Sequence, residues 1–252
     1  MPEKIAVANQ KGGVGKTTTC IELAFTLKDA GQKVLLIDLD QQGNLSDYLN
    51  ADRKKPTIYE CLHAKCAIIE ATQNCKGVDI ITSSPALSKA DREFIDTDDM
   101  FLLSDLIEAT SDNYDYVIID NSPSRSVLLN MSYVAADYVL IPSECDAGSL
   151  NGVTQINRDI IKLRDGRVSY SHARIIGVVL TKYENTIMHQ TAVESLKEIT
   201  DEIDPNIFIA KIRKSIVVSE CKTLKMPLQA YNKYSNPAID YRNLSKQIMK
   251  EA

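Results

Sequence analysis

The residues best suited to chemistry stand near the start of the chain, in Ala8-Asn9-Gln10-Lys11-Gly12-Gly13-Val14-Gly15-Lys16-Thr17-Thr18. Glycines let the backbone approach an anion closely, and the successive N–H groups of Gly12, Gly13, Val14 and Gly15 can point at phosphate oxygens. The apolar run from Lys4 to Ala8 reads as a short strand, and Thr17 to Lys28 reads as a helix with Cys20, Leu23, Ala24 and Leu27 on one face. A turn between such elements adds the positive end of the helix to the attraction for an anion. In that setting Lys16 is placed to contact the β- and γ-phosphates of a nucleotide as a point charge. The Thr17 hydroxyl is placed to ligate magnesium, and Thr18 completes the set. The common phosphate-loop pattern would have glycine at position 10, where this chain has Gln10, and it would need only one lysine. Lys11 is the extra cation.

Carboxylates that could serve the same ligand recur where apolar runs end. Val34-Leu35-Leu36-Ile37-Asp38-Leu39-Asp40 and Tyr116-Val117-Ile118-Ile119-Asp120 read as buried strands finishing in acids. The C-terminal ends of strands form the ligand side of an open α/β sheet, so Asp120 can hold magnesium there, directly or through water.

Lys11-Gly12-Gly13-Val14-Gly15-Lys16-Thr17 resembles the deviant Walker A motif of the ParA/MinD family of ATPases. Asp38-Leu39-Asp40-Gln41-Gln42-Gly43-Asn44 resembles the family's D-x-D-P-Q-G-N box, with Gln41 in place of proline. Tyr116 to Asp120 is similar to its Walker B segment, and Asn121-Ser122-Pro123 follows where relatives often carry Thr-Pro-Pro. The resemblance implies a P-loop NTPase that uses ATP and Mg2+ and closes as a homodimer around the nucleotide. Lys11 then reaches across to the partner's ATP, Asp40 orients or activates the attacking water, and Asp38 supports the magnesium side or the loop. The implied catalytic set is Lys11, Lys16 and Asp40, and the implied metal set is Thr17, Asp38 and Asp120. A slow ATPase, with hydrolysis stimulated by a ParB-like partner, follows from the same resemblance.

The elements that must position these groups are also readable. Strand-like runs recur at 79–82, 138–142, 175–181 and 207–210, separated by helix-length segments such as 150–164 and 188–203. Strands alternating with helices over 252 residues with 44% hydrophobic content predict one α/β domain: a doubly wound, mostly parallel sheet flanked by helices. No apolar run approaches the roughly 20 residues of a membrane span. Met1 to Lys4 leads into the first strand without a signal peptide, which predicts a cytoplasmic protein with no preceding helix-turn-helix domain. The six cysteines fit that compartment as free thiols, and Cys61, His63, Cys66 and Cys75 match no paired C-x2-C metal framework.

Charge is unevenly spread. Residues 205–250 carry nine lysines and arginines against two acids, whereas the rest of the chain carries 20 against 32. A basic segment on an acidic protein predicts a surface for a polyanion, and non-specific DNA binding needs only phosphate contacts. Lys211, Lys214, Lys222, Lys225 and Arg242 are the candidate DNA contacts, which would associate the protein with the nucleoid. The stretch Ile212-Arg213-Lys214-Ser215-Ile216-Val217-Val218-Ser219-Glu220, followed by Lys225-Met226-Pro227, resembles the C-terminal part of short ParA proteins. Arg213 and Lys214 stand where relatives place a Pro-Arg pair whose backbone lies near adenine, so both join the nucleotide-binding set. Val217 stands where some relatives use an arginine on DNA, and the arginine expected after Leu180-Thr181-Lys182-Tyr183-Glu184 is replaced near Thr186.

Three readings remain open at this stage. The first is a partition-type ATPase whose ATP-driven dimer binds DNA non-specifically. The second is a MinD-like positioning ATPase that acts on a membrane or protein cargo through an amphipathic helix at 236–252. The third is a bacterial P-loop tyrosine kinase, for which Tyr231, Tyr234 and Tyr241 are dispersed.

Overall fold

The computed structural model describes residues 1–165 and 169–251. Eight strands form one sheet: β1 (Glu3–Val7), β2 (Val34–Asp38), β3 (Thr72–Cys75), β4 (Val78–Ile81), β5 (Tyr116–Asp120), β6 (Tyr138–Ser143), β7 (Arg174–Tyr183) and β8 (Phe208–Arg213). Their order is β3-β4-β2-β5-β1-β6-β7-β8. All neighbours are parallel except β3 and β4, so the doubly wound, mostly parallel sheet predicted from sequence is the architecture found. The strand not foreseen is β3, a short polar edge strand. It joins β4 through Lys76 (φ +58°) and Gly77 (φ +83°), a two-residue turn that needs positive φ at both positions.

Among the described residues twelve α-helices connect or cover the strands. The first six are α1 (Lys16–Asp29), α2 (Asn44–Tyr48), α3 (Ile58–Leu62), α4 (Ile68–Ala71), α5 (Ala90–Glu93) and α6 (Leu102–Glu108). Then come α7 (Val127–Ala135), α8 (Ala147–Arg164), α9 (Ile187–Ile203), α10 (Ile216–Leu224), α11 (Leu228–Asn232) and α12 (Asn236–Glu251). Alternation along the strands divides the core. Ile5 and Val7, Val34 and Leu36, Ile80 and Ile118 pack with α1 and α12 on one face. On the other face Leu35, Ile37, Ile81, Val117 and Ile119 pack with α3 to α7. There too, Ala6, Val139, Ile141 and Val178 pack with α7, α8 and α9. Successive side chains point to opposite faces, so a strand covered on both sides is apolar throughout. Every residue of β2 and β5 is buried, including the terminal acids.

Helix α12 bears on the amphipathic-helix alternative raised by the sequence. Its apolar side, with Ala238, Tyr241, Leu244 and Ile248, is buried against α1 and the sheet, and Tyr241 Oη shares a hydrogen bond with Thr19 Oγ1 at 3.2 Å. That face is occupied by the core rather than presented to a lipid surface. Among the described residues no helix is long and apolar enough to cross a membrane.

Candidate functional site

Parallel register brings the strand-end acids together. Asp38 of β2 is paired with Asp120 of β5, which is paired on its other side with Val7, the last residue of β1. The chain leaving β1 therefore turns directly over both carboxylates. Its next strand lies on the β5 side while β6 lies on the other, the switch in direction at which open α/β sheets bind ligands.

The turn is built by glycine and by distant anchors. Gly13 (φ +78°) and Gly15 (φ +92°) adopt left-handed conformations, and a Cβ on Gly15 would lie 3.3 Å from Thr181 Cγ2. Thr181, at the end of β7, donates to the Val14 carbonyl at 2.9 Å, and Lys182 Nζ donates to the Gly13 carbonyl at 3.2 Å. Asn9 donates to the Pro142 carbonyl at 2.8 Å and accepts from the Lys11 N–H at 2.9 Å. Gln10, the residue that replaces a glycine of the common loop, donates to Asp159 of α8 at 3.1 Å, a carboxylate also bonded by Arg125. The loop is thus held from β6, β7 and α8 before any ligand arrives.

Lys16 is 7% exposed, and its Nζ donates back to the Lys11 carbonyl at 3.2 Å. Burial lowers its pKa, opposed by Asp120 and Asp40. Asp38 accepts from the Ser46 N–H at 2.9 Å, the Ser46 hydroxyl at 2.7 Å and the Asp40 N–H at 3.1 Å. Asp40 is held by its own turn: its carboxylate accepts from the Gln42 N–H at 3.0 Å, and its carbonyl accepts from the Ser83 hydroxyl. Asp120 differs from both. It is completely buried, and neither carboxylate oxygen has a hydrogen bond of ordinary geometry. Burial first, and the Asp38 carboxylate second, push its pKa well up, with the Thr17 hydroxyl opposing. An orphaned buried carboxylate costs several kcal/mol unless a proton or a cation balances it. With the Thr17 hydroxyl next to it at the foot of a phosphate cradle, this donor set fits a hard divalent cation of the magnesium type.

These groups open into a cavity of about 480 Å³, whose wall includes Gly12, Gly13, Gly15, Lys16, Thr17, Thr18, Asp40 and Pro123. It continues along α1 past Ile21 and Glu22, between α2 (Tyr48) and α10 (Val218, Cys221 and Lys222, with Lys225 just beyond its last turn). Glu22 is 2% exposed, and its carboxylate accepts the Leu228 N–H at 3.0 and 3.1 Å. Burial pushes its pKa up to about 8.

Lys11 precedes the first residue of the cavity wall, and its side chain is 40% exposed. Its Nζ contacts Asp146 at 2.5 Å and Glu144 at 3.7 Å, and Glu144 is paired at 2.5 Å with Lys182. The bond to Asp146 raises the Lys11 pKa. Sequence reading missed this acidic pair after β6. The available signal was that every strand end of a parallel sheet opens on the ligand side.

The remaining predicted residues are distributed differently. Arg213 clamps Asp240 of α12 at 2.7 Å, and Lys214 pairs with Glu184 at 3.1 Å, so neither side chain is on the cavity wall. Lys222 and Lys225, candidate DNA contacts, line the cavity; Lys222 is exposed and Lys225 is half-buried, with its Nζ donating to Asn50 at 2.9 Å. Arg242 is half-buried and donates to Gln229 at 2.5 Å and to the Lys233 carbonyl at 2.6 Å. Lys211 is exposed and lies over the Tyr183 ring, 4.8 Å from its centre. Among the described residues no group of three or more His, Cys, Asp or Glu side chains forms a metal cluster, and all six cysteines are free.

Comparison with known proteins bears on this arrangement. The AAA domain family matches residues 2–172. The chain is 35% identical to the chromosome partitioning protein ParA of Caulobacter vibrioides, over 97% of this chain and 93% of that protein. Among solved structures, a plasmid partition protein of Borrelia burgdorferi bound to AMPPNP superimposes with a TM-score of 0.84 at 26% identity, covering all of both chains. The cobyrinic acid a,c-diamide synthase of Mycobacterium smegmatis, with bound ADP and magnesium, reaches 0.82 at 26% identity over 99% of this chain and 95% of that one.

Proposed function

This chain belongs to the ParA/MinD family of partitioning ATPases and is an ATP-hydrolysing enzyme, and we propose that its ATP chemistry works as a timed switch: ATP closes a homodimer, the dimer binds DNA non-specifically, and a ParB-like partner stimulates hydrolysis to release it. The observation that carries this reading is the second lysine. Lys16 is buried in the phosphate cradle, whereas the Lys11 side chain, from the same turn, is 40% exposed and paired with Asp146 and Glu144.

Each side chain has a separate task in this proposal. The N–H groups of Gly12 to Gly15 and the ammonium of Lys16 bind the β- and γ-phosphates and take up the charge that grows on them during transfer. Thr17 and Asp120, supported by Asp38, would hold a Mg2+ ion, which would supply neutralisation of phosphate charge. Asp40, fixed by the Gln42 N–H, orients the attacking water. Lys11 of each subunit reaches the partner's triphosphate, so dimer formation reports the presence of the γ-phosphate through a contact that ADP does not offer. The family's Pro-Arg position is filled by Arg213 and Lys214, whose backbone would lie near the base. Intrinsic hydrolysis is slow, because the constellation is complete only in the dimer and waits for the partner.

A paired pull-down on duplex DNA and on anionic liposomes, each with ATP, ADP and no nucleotide, tests the reading. ATP-dependent, salt-sensitive retention on DNA of unrelated sequence is the expected result. Retention on liposomes but not on DNA would move the protein to the positioning class.

A further inference from the structure

Away from the nucleotide cavity, two reactive side chains meet: Cys61 Sγ and Cys66 Sγ lie 3.4 Å apart. The backbone imposes this contact. Helix α3 starts at a capping box, with Thr57 accepting the Tyr59 N–H and Glu60 accepting the Thr57 N–H. It ends at His63, after which Ala64 takes a left-handed conformation (φ +53°). The Ala64 N–H bonds the Cys61 carbonyl and the Lys65 N–H bonds the Glu60 carbonyl, both at 2.9 Å. This pair of bonds is the Schellman termination, which reverses the chain and lays the next residue, Cys66, back over the last turn of the helix. Alanine adopts positive φ at a cost that glycine avoids, so the turn is held by its surroundings.

The two thiols differ in access. Cys61 is 2% exposed, and Cys66 is only half-buried. His63, the residue between them that could add a metal ligand, is bonded instead to Glu93 at 3.1 Å and packed between the rings of Tyr59 and Phe94. Among the described residues the pair is therefore a dithiol without a third metal ligand, at one edge of the core formed by α3 and α4.

We propose that Cys61 and Cys66 are a redox-reactive dithiol, a modification site at which a low-molecular-weight disulfide is reduced while the pair closes into an intramolecular bridge. The Cys66 thiolate attacks one sulfur of the small disulfide, whose S–S bond breaks to give a mixed disulfide at Cys66 and one thiolate. Cys61, after losing its proton to solvent, attacks the Cys66 sulfur, and the second small thiolate leaves. Both leaving thiolates take up protons, so two protein thiols are oxidised and one disulfide is reduced. The order follows from access: Cys66 is open to the reagent, whereas Cys61 is buried with its sulfur against that of Cys66 and so reaches the mixed disulfide rather than the free reagent. Closing the pair to the bonded length of about 2.05 Å asks the sulfurs to move together by roughly 1.4 Å, within reach of side-chain rotation. A partly exposed bridge of this kind is readily reduced again.

Cys75 provides the internal control, since it is also half-buried but lies on β3. The full-length protein is incubated with oxidised glutathione, quenched with acid and examined by intact mass and peptide mapping. The expected product has lost two hydrogen atoms, yields a linked Cys61–Cys66 peptide, retains no glutathione at Cys66 and returns to the starting mass with dithiothreitol. Cys66→Ser abolishes that product, and Cys61→Ser traps glutathione on Cys66. A wild-type protein that keeps glutathione on Cys66, that bridges through Cys75 instead, or that leaves both Cys61 and Cys66 reduced overturns the proposal. These outcomes are read on the wild-type chain and do not depend on the Cys61 variant folding.

Discussion

The turn after β1 and the basic segment at 205–250 both carry positive charge, and the fold uses it in opposite ways. In the turn, Lys16 is buried against backbone carbonyls with Asp120 and Asp40 near it, so its charge is aimed into one cavity. In the basic segment the charge is divided. Arg213 is consumed by Asp240, Arg242 by Gln229 and the Lys233 carbonyl, and Lys222 and Lys225 face the cavity. Lys211, Lys214, Lys233, Lys246 and Lys250 lie exposed, as does Lys222, and Lys214 is paired with Glu184. A count of basic residues thus overstates the surface available to a polyanion, while a single well-placed lysine in the turn has a defined target.

The largest expected effect separates the two regions directly. Lys16→Ala is expected to lower ATP turnover by about 10²–10³-fold, the usual loss for one preorganised donor to a developing charge. Arg242→Ala should leave turnover nearly unchanged and instead destabilise the fold by about 1 kcal/mol through its lost hydrogen bonds. Steady-state ATPase assays and thermal melts on the two variants check this, and equal losses of turnover would erase the distinction.

Next in size is the backbone of the turn. Gly15→Ala places a Cβ 3.3 Å from Thr181 Cγ2 at φ +92°, and should cost about 1–3 kcal/mol of stability. A calorimetric titration with ATP should show weakened binding in the same variant. Unchanged melting and affinity would mean that the left-handed conformation is not required.

Glu22 connects the regions, because it lies on the cavity wall and caps the first N–H of α11. Its carboxyl is raised from 4.5 to about 8 by burial. In that window the folded protein holds a proton that the unfolded chain has released, so stability falls as pH rises from about 4.5 toward 8 and then levels. Glu22→Gln removes this contribution and is expected to raise stability near pH 8 by about 1–2 kcal/mol. Thermal melts across pH 5 to 9 should show a slope in the wild type that is flatter in the variant.

The smallest effect concerns the exposed cations. Lys211→Ala combined with Lys214→Ala should reduce the slope of log binding constant against log salt on duplex DNA by about 1–2, with little change in stability. Arg213→Ala should leave that slope alone, since its guanidinium is bound to Asp240. A slope that responds only to Arg213 would reverse the division of charge described above.

What could be read in the sequence follows the same contrast. Asp38 and Asp120 were legible because each ends an apolar run, and a buried parallel strand with a terminal acid is a local pattern. The cradle was legible because its glycines and lysines are consecutive. Thr181, Lys182, Glu144 and Asp146 were not, because their contacts with the turn depend on β6 and β7 lying beside β1, a placement that no local pattern encodes. Lys222 and Lys225 read as polyanion contacts from the clustering of cations at 205–250; that α10 also places them along the cavity wall is a tertiary fact that charge counting does not carry. The strand β3, Thr-Gln-Asn-Cys, carries almost no apolar periodicity and is specified by its turn and by its partner β4.

Particle size in solution with ATP, compared for Asp40→Ala and for Asp40→Ala combined with Lys11→Ala, tests the central claim most directly. With hydrolysis blocked by the Asp40 change, the account predicts a dimer for the first protein and a monomer for the second at equal nucleotide occupancy. A dimer that forms with ATP in the absence of Lys11 would contradict it.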